Sequence, residues 1–292
     1  MSEDRFDRNE RLFGKEGQKN LRRARVAVMG AGGLGSFCIA ELALLGVGAI
    51  DTVDREDLSL SNRNRYVGAW HSDPIPGTPK VELARRHVEL IDPSIAFTAI
   101  KDDIVSAPAL ELLKRADFVL ACVDNDGVRF FLNEACLAYN KPLIDLASDV
   151  PEPDRFGGHV AVITGGHGCL HCLDLLDPHE ARRFLSNAEM VENEAAVYGI
   201  KASALSETGP SVASVNGTVA SLGVTAFMAL ATGTKLSYNF LTYRGDLGTV
   251  SRKTTTGTDD CYYCSTVRGM GEWADLERYF RMQRPSSESS AA

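Results

Sequence analysis

The chain is short of positive charge, and that scarcity is its first informative feature. Among 292 residues, 31 Lys and Arg stand against 39 Asp and Glu, a formal net charge of −8 with a pI near 5.3. A nucleic-acid face needs clustered Lys and Arg to neutralise phosphates, so nucleic acid is not an expected partner. No basic segment followed by an apolar core opens the sequence, which reads as the absence of an export signal and a cytoplasmic location. Long uninterrupted apolar runs are missing as well. The least polar stretch, residues 211–233, has the length of a membrane span but carries Asn216, several Ser and Thr and three glycines, and it reads as a buried helix. No internal repeat is found. The seven cysteines form an odd set with no leader before them, which speaks for a reducing compartment and against a disulfide framework. What is present, 44% hydrophobic and 24% charged residues over a length able to bury a large core, fits one big α/β domain with or without an appended segment.

The chain is organised around Arg25 to Ser36, RVAVMGAGGLGS. Val26 to Met29 read as a strand buried on both faces and Leu34 to Leu45 as the helix that follows. Gly30, Gly32, Gly33 and Gly35 occupy the turn between them, where a side chain would keep the backbone from a phosphate and the helix from its strand. The free N–H groups opening that helix face whatever anion sits there. Taken alone, this fingerprint equally fits an NAD(P) dehydrogenase. A second strand, Gly48 to Val53, ends at Asp54, placed to accept ribose hydroxyls, with Asp51 as a rival that would point into or across the sheet.

Four of the seven cysteines form two C-x-x-C pairs, Cys169/Cys172 and Cys261/Cys264. Each pair puts two thiolates on one tight knuckle, and two knuckles complete a tetrahedral shell for structural Zn²⁺. A redox dithiol is the competing reading, and the duplication of the motif weighs against it. His167 and His171 flank the first pair, but four thiolates already saturate a zinc ion. With 88 residues between Cys172 and Cys261, the metal would pin the C-terminal region back onto the main domain.

Beyond Asp54 the pattern departs from a dehydrogenase. A polar loop, DREDLSLSNRNRY, carries Ser61, Asn62, Arg63 and Arg65, and Lys80 opens the helix KVELARRHVELI. Several cations near a glycine turn suit a triphosphate, which has more charge to neutralise where bonds break. Singly, each reads better as a solvated loop charge, and it is their number that points to the phosphates. Asp117 to Cys122 is a further apolar strand, so Asp124 falls on the same rim as the glycine turn, where it could hold a hard cation or cap the next helix.

G-A-G-G-L-G-S, Asp54, S-N-R-N-R, P-K-V-E-L-A, Cys122-Val123-Asp124-Asn125 followed by Arg129, and the two C-x-x-C pairs together resemble the ThiF/MoeB group of ubiquitin-activating-enzyme-like adenylyltransferases, in the same order from about Arg5 to Cys264. The resemblance implies a homodimer that binds ATP and Mg²⁺ at the strand ends and adenylates the C-terminal glycine of a ubiquitin-like or sulfur-carrier protein ending in Gly-Gly. It implies that Gly32, Gly33 and Gly35 meet the nucleotide with Ser61 and Asn62 nearby, that Asp54 holds the ribose, and that Arg65 and Lys80 grip the phosphates. It further implies that Asp124, with Asn125 beside it, holds Mg²⁺, and that Arg8 reaches into the partner subunit's site.

Two departures stand out. The family loop S-N-L-x-R-Q here carries Arg63 and Tyr66, which would alter how the loop packs or which acyl tail it admits. Members that form a thioester on their own thiol carry a cysteine after the first knuckle, and Leu173 to Asp260 contains none. Cys38, Cys122 and Cys136 read as core thiols, with Cys122 nearest the chemistry. Adenylation is therefore expected without an enzyme-borne thioester, the acyl group passing to a sulfur donor or to a thiol on another protein.

The expected fold is a Rossmann-like, doubly wound, mostly parallel α/β sheet with a zinc-pinned C-terminal segment. Residues 1–24 form a helical dimer arm, 25–265 the adenylation domain with a crossover loop at 173–209, and 266–292 a C-terminal helix and disordered tail. Lys141 to Ala147 and Gly158 to Thr164 read as strands, Arg129 to Tyr139 and Ser211 to Leu230 as helices, Tyr238 to Tyr243 with Gly248 to Arg252 as a hairpin, and Trp273 to Arg281 as one short amphipathic helix. The alternatives are a relative activating a small or tRNA-borne carboxylate, an NAD(P) oxidoreductase, and a non-catalytic dimeric scaffold.

Overall fold

The computed structural model describes residues 5–152, 154–166, 168–177, 211–258 and 260–283. Most of the crossover segment expected at 173–209 and the tail from Ser286 lie outside the described residues.

Eight strands form one sheet in the order β3-β2-β1-β4-β5-β6-β7-β8. They are β1 (Arg25–Met29), β2 (Ala49–Val53), β3 (Ala96–Ile100), β4 (Phe118–Ala121), β5 (Leu143–Glu152), β6 (Arg155–Ile163), β7 (Phe240–Arg244) and β8 (Thr249–Lys253). The five from β3 to β5 run parallel, and β6 to β8 continue the sheet antiparallel. The helices are α1 (Asp7–Arg23), α2 (Gly33–Leu45), α3 (Lys80–Ile91), α4 (Ala107–Arg115), α5 (Asp126–Ala138), α6 (Ala213–Thr232) and α7 (Glu277–Gln283). This is the Rossmann-like, doubly wound architecture expected from the sequence.

The two-residue period of the strands sorts their side chains onto two cores. Val26, Val28, Ile50, Leu120, Ile144 and Val160 face α2, α3 and α6. Ala27, Met29, Val53, Val119, Ala121 and Ala161 face α4, α5 and the C-terminal segment. Helices cover both faces, which is why β1 reads as an apolar run from Val26 to Met29 and why every residue of β2, Asp51 and Thr52 included, is buried.

The α6 helix is long and apolar enough to cross a membrane by length and composition. Half of its apolar window is nevertheless buried within the structure, and it packs on α2, β5, β6 and α1.

Two elements differ from the sequence reading. The N-terminal helix is kinked at Gly14, whose φ of 78° and ψ of 165° break the helical path before α1 packs its Gly17 against Thr232 of α6. Residues 273–281 are not one helix. A 3₁₀ turn, Gly271–Ala274, ends at Asp275, whose φ of 42° is left-handed, and α7 starts after it, leaving Trp273 86% exposed. Tyr279 of α7 instead enters the core beside Phe131, its hydroxyl and the Arg278 guanidinium both bonded to the buried carboxylate of Glu134.

Candidate functional site

The carboxyl ends of β1, β2 and β4 meet at the glycine turn. The Gly30 N–H donates to Val53 C=O at 3.0 Å and the Cys122 N–H to Met29 C=O at 2.8 Å, stitching the three strand ends together. A Cβ on Gly35 would lie 1.9 Å from the Gly30 carbonyl, so only glycine lets α2 start this close to its strand. Gly32, by contrast, opens into free space and caps α2 with no side chain, leaving the first N–H groups of the helix available to an anion.

Asp54 follows β2 and is buried. Its two carboxylate oxygens accept the Ala31 N–H at 2.9 Å and the Glu56 N–H at 2.8 Å. Burial raises its pKa, with the charge of Lys80 acting in the opposite sense. The rival Asp51 lies within β2, fully buried, and pairs with Arg25 and Arg115 away from the rim, as its place inside the strand suggested.

In the loop that follows, Ser59 and Asn62 close a capping box around a 3₁₀ turn, and the exposed Ser61 has its Oγ 3.0 Å from that of Ser59. The Arg65 guanidinium donates to Ser61 C=O at 2.6 Å and to Asn64 Oδ1 at 3.0 Å, while its methylene stem lies 3.1 Å from where a Cβ on Gly33 would stand. Arg65 therefore lies over the glycine turn. The two loop departures have a packing account. The buried Tyr66 hydroxyl donates to Lys80 C=O at 2.6 Å within a small cluster with Leu58 and Leu83, and Arg63 donates to the carbonyls of His71 and Asp73 at 2.9 and 2.8 Å. Tyr66 thus fixes the loop to the start of α3.

Lys80, the first residue of α3, has a side chain only 6% exposed and an ammonium paired with the Glu56 carboxylate. That bond is the main reason the Glu56 pKa is lowered. The sequence reading missed Glu56, because a solvated loop carboxylate has no local signature.

Asp124 sits exposed just beyond β4 with no partner among the described residues. The cap that competed for it falls to its neighbour: Asn125 Oδ1 accepts the Val128 N–H at 3.1 Å and starts α5. Four residues on, Arg129 is buried and donates to Asp145 on β5, to Asp126 at 2.9 Å and to Leu175 C=O at 2.9 Å, with His159 Nε2 3.1 Å away. Burial pushes the Asp145 carboxyl up, but Arg129 and then His159 outweigh it and hold its pKa at about 2. This network ties the rim to residues 175–177, where the Asp177 N–H also donates to Asp126.

Arg8 is not brought to this rim. It is exposed beside Phe6, which packs against Gly46 at the far end of α2. With 13 residues in α2, that end is about 20 Å from the glycine turn of the same chain.

The four knuckle cysteines do converge. Cys169 Sγ lies 3.7 Å from that of Cys172 and 3.8 Å from that of Cys261, Cys172 and Cys264 are 3.7 Å apart, and all four sulfurs lie within 4.8 Å of one another. Tetrahedral thiolates about 2.3 Å from a zinc ion stand about 3.8 Å from each other, so the four could hold zinc as arranged. His171 packs edge-on against Tyr263, and His167 lies outside the described residues. The remaining thiols are core groups: Cys38 and Cys136 are buried with raised pKa values, and the half-buried Cys122 has its Sγ 3.8 Å from that of Cys38 inside α2.

A model of the ThiF family matches residues 6–264. The chain is 38% identical over 168 residues to molybdopterin-synthase adenylyltransferase of Escherichia coli K12, covering 57% of this chain and 65% of that one. It is 35% identical over 160 residues to the sulfur carrier protein ThiS adenylyltransferase of the same organism, covering 54% and 61%. The matches thus span less than two thirds of these relatives. Among solved structures, Escherichia coli MccB with selenomethionine MccA superposes with a TM-score of 0.73 at 20% identity, covering 91% of this chain and 75% of that one, a likeness of fold.

Proposed function

This chain belongs to the ThiF family, and from that premise we propose that it is an ATP-dependent adenylyltransferase activating the C-terminal glycine carboxylate of a ubiquitin-like or sulfur-carrier protein. The observation that carries the reading is the position of Arg65 across Gly33, with Asp54 and Lys80 on one side of the turn and, on the other, Asp124, exposed and without a partner among the described residues.

In the reaction, a carboxylate oxygen of the acyl tail bonds to the α-phosphorus of ATP as the bond to the bridging oxygen breaks and pyrophosphate leaves. No protein nucleophile is needed, so positioning and charge stabilisation do the work. Free N–H groups at the start of α2 bind phosphate oxygens beside Gly32, Gly33 and Gly35, and buried Asp54 accepts from the ribose. Arg65 and Lys80 draw off charge that develops on the departing group, Lys80 exchanging Glu56 for phosphate. Ser61 and Asn62 keep the Arg65 loop in place. Asp124, with Asn125 beside it, would hold Mg²⁺, which supplies charge neutralisation across the phosphates.

The four cysteine thiolates would hold a structural zinc ion with no open position for chemistry. Arg8, remote from its own glycine turn, would serve the site of a second copy in a homodimer, so that residues 1–24 act as an arm, 25–265 as the adenylation domain and 266–292 as its C-terminal extension. Delivery to a sulfur donor or a thiol-bearing acceptor then follows in the cytoplasm, with no thioester on this chain. A dinucleotide is less well served, because the sheet turns antiparallel after β5, short of a second βαβαβ half.

The test is ATP–pyrophosphate exchange with a carrier protein ending in Gly-Gly. Arg65→Ala and Asp124→Ala should each lower exchange by about 100-fold or more without moving the melting temperature. Wild-type-like exchange in either variant removes that residue from the site. Exchange only with a small acid moves the substrate class, and no exchange with either supports the non-catalytic scaffold.

A further inference from the structure

The α2 and α6 helices lie side by side and point the same way: Gly33 faces Asn216, Phe37 faces Gly217, and Glu41 accepts from the Ser221 hydroxyl at 2.7 Å. Both N-termini therefore open at one spot. Neither has a side-chain cap, since Gly32 and Val212 occupy the cap positions, so two sets of free N–H groups and two positive helix ends converge there.

Between them sits Asn216, only 2% exposed, with its Nδ2 2.7 Å from where a Cβ on Gly33 would stand. A carboxamide offers two N–H donors and a carbonyl. Among the described residues its hydrogen-bond partner is the Ser211 hydroxyl alone, 3.1 Å from Nδ2 and 3.5 Å from Oδ1. One hydroxyl cannot satisfy all of that capacity, and a buried amide in a folded protein ordinarily has its partners. The Ser211 carbonyl in turn accepts from Asn64 at 3.3 Å, joining the start of α6 to the loop that carries Arg65.

The geometry points to Asn216 as a binding residue for the carboxylate of the acyl substrate, which it orients toward the α-phosphorus by donating an Nδ2–H while the N-terminus of α6 supplies the favourable field. This assignment rests on the adenylation reading, in which the start of α2 already holds nucleotide phosphate. The positive end left over belongs to α6, and the second anion of the reaction is the attacking carboxylate. The amide is neutral and no proton moves on it. Its contribution is to hold a carboxylate oxygen in line with the bond that breaks.

The experiment compares wild type, Asn216→Ala and the isosteric Asn216→Asp, using a synthetic decapeptide ending in Gly-Gly as acyl probe and its C-terminal amide as the control without a carboxylate. Expected results are an ATP dissociation constant within twofold of wild type in both variants and a peptide KM in exchange raised about tenfold in Asn216→Ala. A larger rise is expected in Asn216→Asp, where carboxylate meets carboxylate, with kcat changed less than KM. Melting curves guard against misfolding, and Asn216→Ser serves should either variant fail to fold. Unchanged peptide KM in the folded variants, or weakened ATP binding with unchanged peptide KM, overturns the assignment alone. A wild-type protein that binds ATP but exchanges nothing with the peptide or with a Gly-Gly carrier overturns the adenylation reading and this assignment with it.

Discussion

Removing metal from the four-cysteine cluster is the perturbation whose size follows most directly from the structure. The sulfurs stand at spacings of 3.7 and 3.8 Å, and the cluster closes a loop of 88 residues between Cys172 and Cys261. Treating the metal as a cross-link, the chain-entropy relation gives about 4.6 kcal/mol for a loop of that length. Spread over the unfolding entropy of a chain this long, that is a fall of about 7 °C in Tm. The loss need not unfold the protein, because the knuckles sit in a packed core: Cys169, Leu170, Cys261, Val267, Leu276 and Tyr279 all belong to the cluster around α5. The expected outcome is one zinc per chain by elemental analysis and a Tm lowered by several degrees with a chelator or in Cys261→Ser. Pyrophosphate exchange by the protein that remains folded should change far less. Zinc well below one per chain in freshly purified protein, or a melting curve indifferent to chelation, would refute the structural-metal reasoning.

Three other perturbations test separate parts of the site. The Asp145 carboxyl, held at about 2 when folded and about 3.9 when unfolded, adds on the order of 2 kcal/mol that is present above pH 4 and lost as pH falls from 4 toward 2; the urea-stability gap between wild type and Asp145→Asn should therefore narrow markedly from pH 7 to pH 3, and a constant gap contradicts the pairing. Tyr66→Phe removes the bond to Lys80 C=O and should cost about 1 kcal/mol while speeding hydrogen exchange in residues 59–66, a result that unchanged exchange there would exclude. Cys122→Ser should leave adenylation intact, since its thiol faces Cys38 inside α2; a reductant-sensitive adduct between the wild-type chain and a carrier, absent in this variant, would restore the thioester route.

What could be read from the sequence was whatever leaves a local signature. The strand–glycine–helix unit at Arg25 to Leu45 is legible because burial on both faces gives an unbroken apolar run and because close approach of helix to strand admits only glycine. The two C-x-x-C knuckles are legible because their spacing is the one a tetrahedral thiolate shell for a metal requires. By contrast β3, a half-exposed edge strand reading AFTAI, and α4, nine residues with a proline in its first turn, carry too little pattern and were not anticipated. Asp275 shows the opposite error: the apolar spacing of Trp273, Leu276 and Phe280 imitates a helix, and only the left-handed backbone at the aspartate reveals the break.

The candidate site divides along the same line. Asp124 could be named because it lies just past the end of β4, and local order carries such a residue to the rim of a parallel sheet; Arg65 and Lys80, 12 and 27 residues beyond β2, could be named from the run of cations after Asp54 and from the family resemblance. Their partners could not, since partnership is decided by tertiary contact. Glu56 meets Lys80 from 24 residues away, Asp145 meets Arg129 across the space between α5 and β5, and Asn216 reaches Gly33 from beyond the segment expected from sequence as the crossover loop. Asp51 and Asp54 show how geometry discriminates where residue type does not. The first shares a face with Val53 and is drawn into ion pairs with Arg25 and Arg115, whereas the second lies one residue past the strand, where its carboxylate turns back to the Ala31 N–H beside the glycines. A charge three positions earlier in the same strand is therefore structural, and the same chemistry at the strand end is available to a ligand.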